Sequence, residues 1–126
     1  MRPRKKILIV DDEIGVREYL AESLSQNGYE ISMATDGREG LTKTERFRPD
    51  LILLDVMMPV MDGWKMLAQL RAQEKTRNIP VVMLTAKSDT ESVFKSEQQR
   101  VADYFIKPVD IKELLAFLKR YIDLKE

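Results

Sequence analysis

The chain has 126 residues, of which 44% are hydrophobic and 33% charged, and these values are typical of one globular domain with its own core. Lysine plus arginine and aspartate plus glutamate number 21 each, and this balance argues against an electrostatic grip on nucleic acid. Cysteine and histidine are both absent, which excludes disulfides, zinc–thiolate sites and the commonest general base. Any chemistry must therefore rest on carboxylates, hydroxyls and lysines.

Nothing in the hydropathy pattern predicts contact with a membrane. Apolar runs such as residues 7–10 and 51–54 are much shorter than the roughly 20 residues that a spanning helix needs. The basic residues at 2–6 precede only a short apolar run that ends at Asp11, which is not the pattern of a signal peptide. We therefore expect a cytoplasmic protein.

Strands and helices are predicted to alternate along the whole chain. The strands are apolar or alternating runs, and in chain order they cover Lys6–Val10, Glu30–Ala34, Leu51–Asp55, Val81–Thr85 and Asp103–Ile106. Each is followed by a segment with helical patterning, at residues 14–27, 38–47, 64–73, 90–99 and 111–124. Three of these helices have a capping-box spacing ahead of them. The pairs are Asp36 with Glu39, Ser88 with Glu91, and Asp110 with Glu113.

This (βα)5 order predicts an α/β fold. The connections are so short that parallel strands and right-handed crossovers are the natural outcome. The first, third and fourth strands are continuously apolar, as strands covered on both faces are, whereas the second alternates and the fifth opens with a charge. We predict a doubly wound, flavodoxin-like three-layer sandwich with strand order 2-1-3-4-5. It forms a single domain over residues 1–126, with its core from about residue 5 to 122.

Polar residues stand where four of the predicted strands end. Ligands of open α/β sheets bind at the carboxyl ends of the strands, near the point where the strand order reverses. The residues at this edge are Asp11, Asp12 and Glu13 after the first strand, Asp55 in the third, Thr85 in the fourth and Lys107 after the fifth. Because the first and third strands flank the reversal point, their acidic ends are expected to face one another.

Each of these residues alone has an ordinary structural explanation. An aspartate after a strand usually caps a helix or forms a turn, and a lone lysine is usually solvated. Three crowded carboxylates are different, since one like-charge pair about 4 Å apart costs roughly 4 kcal/mol at an effective dielectric near 20. A divalent cation removes that cost, and hard oxygen ligands favour Mg²⁺. The pattern therefore predicts a metal site.

Four strings carry a family resemblance. They are ILIVDDE, LILLDVMMPVMDG, IPVVMLTA and DYFIKP, and each lies at a predicted strand end. In this order and at these separations they closely resemble the receiver domain of bacterial two-component response regulators. The resemblance extends from about Lys5 to Ile122. It implies a phosphorelay signalling domain, with the fold of the chemotaxis regulators, that accepts a phosphoryl group and is not an enzyme in the usual sense.

The resemblance also implies a role for each site residue. Asp55 is the implied phosphoacceptor, and Thr85 and Lys107 are the groups that contact the phosphoryl oxygens. The bound ion is Mg²⁺ or Mn²⁺. Its implied ligands are Asp12 directly, Asp11 through water, Asp55 itself and the backbone carbonyl of Met57, with a lesser part for the acidic Glu13.

Partners and readout follow from the same resemblance. The implied donor is a phosphohistidine on a sensor histidine kinase or phosphotransfer protein, which this histidine-free chain does not itself supply. On activation Thr85 moves toward the phosphoryl group and Tyr104 turns inward. That motion changes the face built from the fourth predicted helix, the fifth strand and the fifth predicted helix, where a downstream protein or output domain binds. The family usually has a cis bond at the position of Lys107-Pro108. The alternative for Tyr104 is an edge-strand aromatic that simply covers the core.

The sequence departs from the family pattern in two places. Arg100 and Val101 stand where many members have a Gly-Ala pair, and arginine does not tolerate a left-handed helix end as glycine does. We therefore expect a weakly docked fourth helix with an irregular end. Phe117 stands where members that dimerise through this face usually have an arginine. Two interpretations are open for Phe117: it packs with its neighbours, or it belongs to an apolar partner-binding patch.

Three other functions compete with a phosphorylated receiver. A receiver-like interaction module that works without phosphorylation is expected to lack one of the key residues, and all are present. A flavodoxin relative needs a hydroxyl- and glycine-rich phosphate loop, whereas Asp11-Asp12-Glu13 would repel phosphate without a metal. Aspartyl-phosphate phosphatases carry a second acid two residues after the nucleophile, and Met57 occupies that position here.

Overall fold

The computed structural model describes residues 3–86 and 100–123, and over these ranges it confirms the predicted order of elements. The strands are β1 (Lys6–Val10), β2 (Glu30–Ala34), β3 (Leu51–Asp55), β4 (Val81–Thr85) and β5 (Asp103–Ile106). The helices are α1 (Ile14–Gln26), α2 (Gly37–Phe47), α3 (Gly63–Ala72) and α4 (Ile111–Leu118). The predicted helix at 90–99, with the cap pair Ser88 and Glu91, lies outside the described residues. Within them, no helix is long and apolar enough to cross a membrane.

Aspartate side chains cap the beginnings of α2 and α4. Asp36 accepts a hydrogen bond from the backbone N–H of Glu39 at 2.8 Å, and Asp110 accepts one from the N–H of Lys112 at 2.9 Å. Both aspartates therefore satisfy backbone donors that the first turn of a helix leaves unpaired. The carboxylate of Glu39 bonds the N–H of Thr35 at 2.6 Å instead of the N–H of Asp36, so the reciprocal half of the capping box is shifted by one residue.

The last helix ends earlier than predicted. Its α-helical part stops at Leu118, and the chain continues as a π-helical turn over Lys119–Asp123. The Tyr29 hydroxyl donates to the Asp123 carboxylate at 3.0 Å. This bond ties the wider turn to the segment between α1 and β2. A contact between residues 94 positions apart leaves no periodic signal in the sequence, and the change of helix type was not predicted.

The five strands form one parallel sheet in the order β2-β1-β3-β4-β5, as predicted. β3 and β4 are buried along their whole length, and β1 is buried except at its first residue. β2 and β5 are only partly covered and form the two edges. The apolar runs at the central positions and the mixed runs at the edges thus reflect real differences in burial.

Alternate residues of each central strand enter two separate cores. Ile7, Leu53 and Leu84 face a core that is completed by α1 and α4. Leu8 and Leu54 face the opposite core, which α2 and α3 complete. Because successive side chains point to opposite faces of a sheet, a shift of one residue in any strand would exchange the two cores. The strand ends are therefore fixed in register.

The structure shows the conformation of Arg100 and the surroundings of Phe117, the two places where the sequence departs from the family pattern. Arg100 adopts a positive φ of 58°, so this arginine occupies the left-handed conformation that glycine favours. Phe117 is 8% exposed, and its ring lies 5.8 Å from that of Phe105 and 5.1 Å from that of Tyr121. The interpretation of Phe117 as part of an exposed partner-binding patch is therefore wrong, because stacking and burial place it in the core.

The loop between β3 and α3 contains a strained residue. Val60 has a φ of 68°, a region that β-branched side chains rarely occupy. The N–H of Met61 donates to the carbonyl of Pro59 at 2.7 Å, so the backbone closes a tight three-residue turn around Val60. The side chain of Val60 is 74% exposed and gains little from packing. The strain is therefore not offset locally.

Replacing Val60 by glycine is expected to stabilise the fold. Relief of the left-handed conformation is worth about 1–2 kcal/mol, and the greater freedom of glycine in the unfolded chain offsets about 0.5–1 kcal/mol. We expect a net gain of roughly 0.5–1 kcal/mol in the free energy of unfolding by urea. Val60→Ala is the matched control, since it keeps the Cβ atom and should recover little. A glycine variant no more stable than the alanine variant would contradict the strain.

Candidate functional site

Three aspartates meet at the carboxyl end of the sheet. Asp11 directly follows β1, Asp12 comes next, and Asp55 is the last residue of the neighbouring strand β3. One carboxylate oxygen from each lies within 4.8 Å of the others. Asp11 is completely buried, Asp55 is 4% exposed, and Asp12 is open to solvent. The topology thus brings together the acids that were expected to face each other.

The ammonium group of Lys107 lies among these acids. Its Nζ atom is 2.8 Å from Asp11 Oδ2, 3.1 Å from Asp55 Oδ1 and 3.3 Å from Glu13 Oε1. Burial by itself would lower the pKa of Lys107, but the carboxylates of Asp11 and Asp55 more than offset it and hold that pKa above its ordinary value. Lys107 is therefore a permanent cation. The peptide bond to Pro108 is cis, as the resemblance implied.

One buried oxygen of Asp11 is left without a hydrogen bond. Oδ1 accepts the backbone N–H of Glu13 at 2.9 Å. Oδ2 forms the ion pair with Lys107 but accepts no hydrogen bond of good geometry. A buried anionic oxygen in this state has capacity for another cation. The set of carboxylate oxygens around it has the chemistry that Mg²⁺ or Mn²⁺ prefers, so the residues present fit a divalent ion.

Crowding affects the acid–base behaviour of Asp55. Burial raises its pKa, and the negative charge of Asp11 raises it further, while Lys107 acts in the opposite direction. The result is a pKa of about 7. Lys107 thus neutralises only part of the negative charge of the clustered aspartates. The ionised site is costly without a further cation.

A glycine supports the backbone of Asp55 from behind. Gly63 opens α3, and its N–H donates to the carbonyl of Val56 at 2.9 Å. A Cβ atom added to Gly63 would come within 2.3 Å of the Asp55 carbonyl oxygen, a distance at which backbone must shift. The close approach therefore requires glycine. It fixes the end of β3 against the start of α3.

The remaining predicted residues lie around this cluster. Thr85 ends β4, is 2% exposed, and its hydroxyl donates a long 3.4 Å hydrogen bond to the carbonyl of Ala86. Tyr104 lies in the edge strand β5, half-buried against the core shared by α2 and α3. Met57 follows in the loop after β3, with a side chain that is 71% exposed. The parts assigned to these three residues stay predictions.

One contact at the site was not anticipated from the sequence. Arg17, in the first turn of α1, donates from Nη1 to the backbone carbonyl of Asp11 at 2.9 Å. The spacing of six residues between the two was the only available signal. Such a spacing is uninformative by itself, because the bond depends on how α1 folds back over the end of β1.

Comparison with known proteins identifies the family. The sequence model of the response regulator receiver domain matches residues 7–119. The probable transcriptional regulator ycf27 of Cyanophora paradoxa is 43% identical over 116 residues, which cover 92% of this chain and 47% of that protein. The chemotaxis protein CheY4 of Vibrio cholerae matches with a TM-score of 0.86 at 35% identity, covering 94% of this chain and 98% of that chain.

A third similar structure is the receiver domain of the sensor histidine kinase PA1611 from Pseudomonas aeruginosa PAO1. It matches with a TM-score of 0.87 at 32% identity and covers 96% of this chain and 99% of that chain. That structure has a magnesium ion coordinated in its active-site cleft. That ion belongs to a receiver domain of the same fold. It is therefore relevant to whether the acidic cluster of this chain binds a metal.

The chain spans about half the length of the first curated relatives that it matches. Several of them are named as DNA-binding regulators, so the expectation that nucleic acid is not a partner receives no support from the comparisons. The family match covers most of the chain, and the receiver fold and the resemblance of the four strings agree with it. This chain belongs to the receiver domain family of response regulators, the signalling domains of two-component phosphorelays.

Proposed function

We propose that this domain accepts a phosphoryl group on Asp55 from a histidine kinase or phosphotransfer protein, with a divalent metal bound beside it. One observation carries the proposal: the Asp55 carboxylate lies 3.1 Å from the Lys107 ammonium and in one oxygen cluster with Asp11 and Asp12. A nucleophile and a permanent cation thus lie next to each other at the carboxyl end of the sheet. Phosphoryl transfer needs alignment and neutralisation of charge more than covalent help from the protein.

Mg²⁺ or Mn²⁺ would be held by oxygen atoms alone. The ligands in this proposal are Asp12 directly, Asp11 through water, the Asp55 carboxylate and the backbone carbonyl of Met57. The Asp11 oxygen without a hydrogen bond and the clustered carboxylates support this set. When bound, the ion supplies positive charge that offsets the repulsion between an anionic nucleophile and an anionic donor.

The residues of the chain have separate tasks in the transfer. An oxygen of the Asp55 carboxylate forms a bond to phosphorus as the P–N bond of the donor phosphohistidine breaks. The electron pair of that bond leaves with the imidazole nitrogen, which takes up a proton from solvent. Lys107 pairs with the transferred oxygens, and the Thr85 hydroxyl hydrogen-bonds one of them. Glu13 helps to hold Lys107 at the site, since its carboxylate already lies 3.3 Å from Nζ.

Readout in this proposal depends on a change between two packings. The Thr85 hydroxyl makes only a long bond to a neighbouring carbonyl, so it loses little by turning toward a phosphoryl oxygen. Tyr104 pairs in register with Met83 on the adjacent strand β4, two positions before Thr85. Its inward turn would alter the surface beside β5 and α4, where a downstream protein or output domain would bind. The phosphoryl group stabilises one of two existing arrangements.

Mass spectrometry after incubation with a small phosphodonor and Mg²⁺ tests the central assignment. The wild type is expected to gain one phosphoryl group, and Asp55→Asn none, because an amide is not a nucleophile toward phosphorus. Asp50→Asn is the matched control, since Asp50 lies just before the same strand, at its amino end and away from the site, and is exposed. Phosphorylation that persists in Asp55→Asn would disprove the assignment. An unmodified wild type would favour the phosphorylation-independent interaction module.

The same variants test the electrostatic cost of the site. The pKa of Asp55 is raised from an ordinary value of 3.8 to about 7 in the folded protein. The free energy of unfolding therefore falls as the pH rises from about 4 to about 7, where the unfolded chain has lost a proton that the folded protein keeps. In chelator-treated protein at pH 8 we expect Asp55→Asn to be more stable than the wild type by roughly 1–3 kcal/mol, and this difference should vanish near pH 4. Urea unfolding across this pH range measures it. Equal pH profiles for wild type and Asp55→Asn, with Asp50→Asn as reference, would show that the acids do not repel.

Thr85→Ala tests the coupling between phosphorylation and Tyr104. The variant should still be phosphorylated, but the change around the Tyr104 ring that phosphorylation produces in the wild type should be lost. Aromatic NMR signals of Tyr104 before and after phosphorylation provide the measurement. Thr76→Ala is the control, because Thr76 is a buried threonine whose hydroxyl bonds the carbonyl of Leu70 at 2.7 Å, in the loop after α3. A normal Tyr104 response in Thr85→Ala would refute the coupling.

A further inference from the structure

The backbone of Asp11 is held by one hydrogen bond at its N–H and another at its carbonyl. Its backbone N–H donates to the carbonyl of Ala34 at 3.1 Å, and its two carboxylate oxygens are bonded by Glu13 and paired with Lys107. The remaining group is the backbone carbonyl, which accepts the guanidinium of Arg17 at 2.9 Å. Arg17 is partly buried, so this bond is shielded from competing water more than a surface contact would be.

Asp12 has much weaker support of its own. Its side chain is exposed, and its side-chain partner is the carboxyl of Asp55, a group of the same charge. A partner of like charge does not hold Asp12 in place. The position of Asp12 must therefore be set through its backbone. The peptide that joins Asp11 to Asp12 is planar, so a bond that fixes the Asp11 carbonyl also fixes the N–H and Cα of Asp12.

We infer that Arg17 is a positioning residue, which orients the Asp11–Asp12 peptide so that the Asp12 carboxylate is presented to the metal. The inference rests on the proposed function, since it takes Asp12 as a metal ligand. In this inference Arg17 is not itself a ligand of the metal, since its contact is with the backbone carbonyl of Asp11. It acts on a ligand from outside, as the hydrogen-bonded supports of metal ligands commonly do.

An effect of the charge of Arg17 and an effect of its positioning role would change the affinity for Mg²⁺ in opposite directions. Arg17 is a cation close to the acidic cluster, and a nearby cation disfavours the binding of a second one. If charge were its whole influence, removing the guanidinium would strengthen binding of Mg²⁺. If positioning dominates, removal weakens binding, because Asp12 loses its fixed direction. The sign of the change in affinity distinguishes the two.

Isothermal titration of the complete chain with Mg²⁺ measures this sign directly. We expect Arg17→Met, which keeps an unbranched apolar stem but no donor, to bind Mg²⁺ about tenfold more weakly than the wild type. Arg17→Lys, which keeps the charge and one donor group, should recover part of the affinity. Arg71→Met is the matched control: Arg71 donates to the backbone carbonyls of Arg77 and Ile79 at 3.0 and 2.9 Å, in the loop before β4. It should lower the melting temperature and leave Mg²⁺ binding unchanged.

A second readout separates positioning from a general loss of structure. The Mg²⁺ concentration that gives half-maximal phosphorylation should rise in Arg17→Met, while the extent of phosphorylation at saturating Mg²⁺ stays close to that of the wild type. Equal or tighter Mg²⁺ binding by Arg17→Met would overturn the inference and leave the proposed function intact. Weakening by the same factor in Arg71→Met would also overturn it. A wild type that does not bind Mg²⁺ would overturn the proposed metal site and this inference together.

Discussion

The interaction on which the site depends is that of one ammonium group with several carboxylates. Lys107 lies within 3.3 Å of oxygens from Asp11, Asp55 and Glu13, and Asp12 adds a further negative charge to the cluster. One positive charge does not neutralise this set. The remaining imbalance appears as the raised pKa of Asp55 and as the Asp11 oxygen without a hydrogen bond. Both features are costs that a folded protein retains where it binds a cation or reacts.

The fold keeps these charges together because its central strands are packed against a hydrophobic core on each face of the sheet. The central strands are buried between two cores, and a shift of register in either β1 or β3 would exchange the residues that face them. The end of β3 is also held by the approach of Gly63 to the Asp55 carbonyl. The strand ends therefore do not relax apart to relieve repulsion. Burial of apolar side chains in the sheet thus keeps the mutually repelling carboxylates together at its carboxyl end.

Features that depend on local sequence patterns could be predicted, whereas those that depend on contacts outside such patterns could not. Strand order and the meeting of Asp11 with Asp55 were predicted correctly, because buried runs and short connections leave few alternatives. The π-helical turn is tied to Tyr29 by the bond to Asp123, and the burial of Phe117 involves the ring of Phe105, which only tertiary packing brings to it. The contact of Arg17 with the Asp11 carbonyl is of the same kind. None of these contacts leaves a periodic trace in one sequence.

The electrostatic imbalance also explains why such a site would respond to modification. A ligand shifts a conformational equilibrium only by the difference in its affinity for the two states. A site already relaxed around Lys107 would gain little from a metal or a phosphoryl group. In the proposed function the incomplete neutralisation of Asp55 and the weakly bonded Thr85 hydroxyl are what a new charge can improve. If the proposed function holds, these unsatisfied groups determine how much binding free energy is available to move Tyr104.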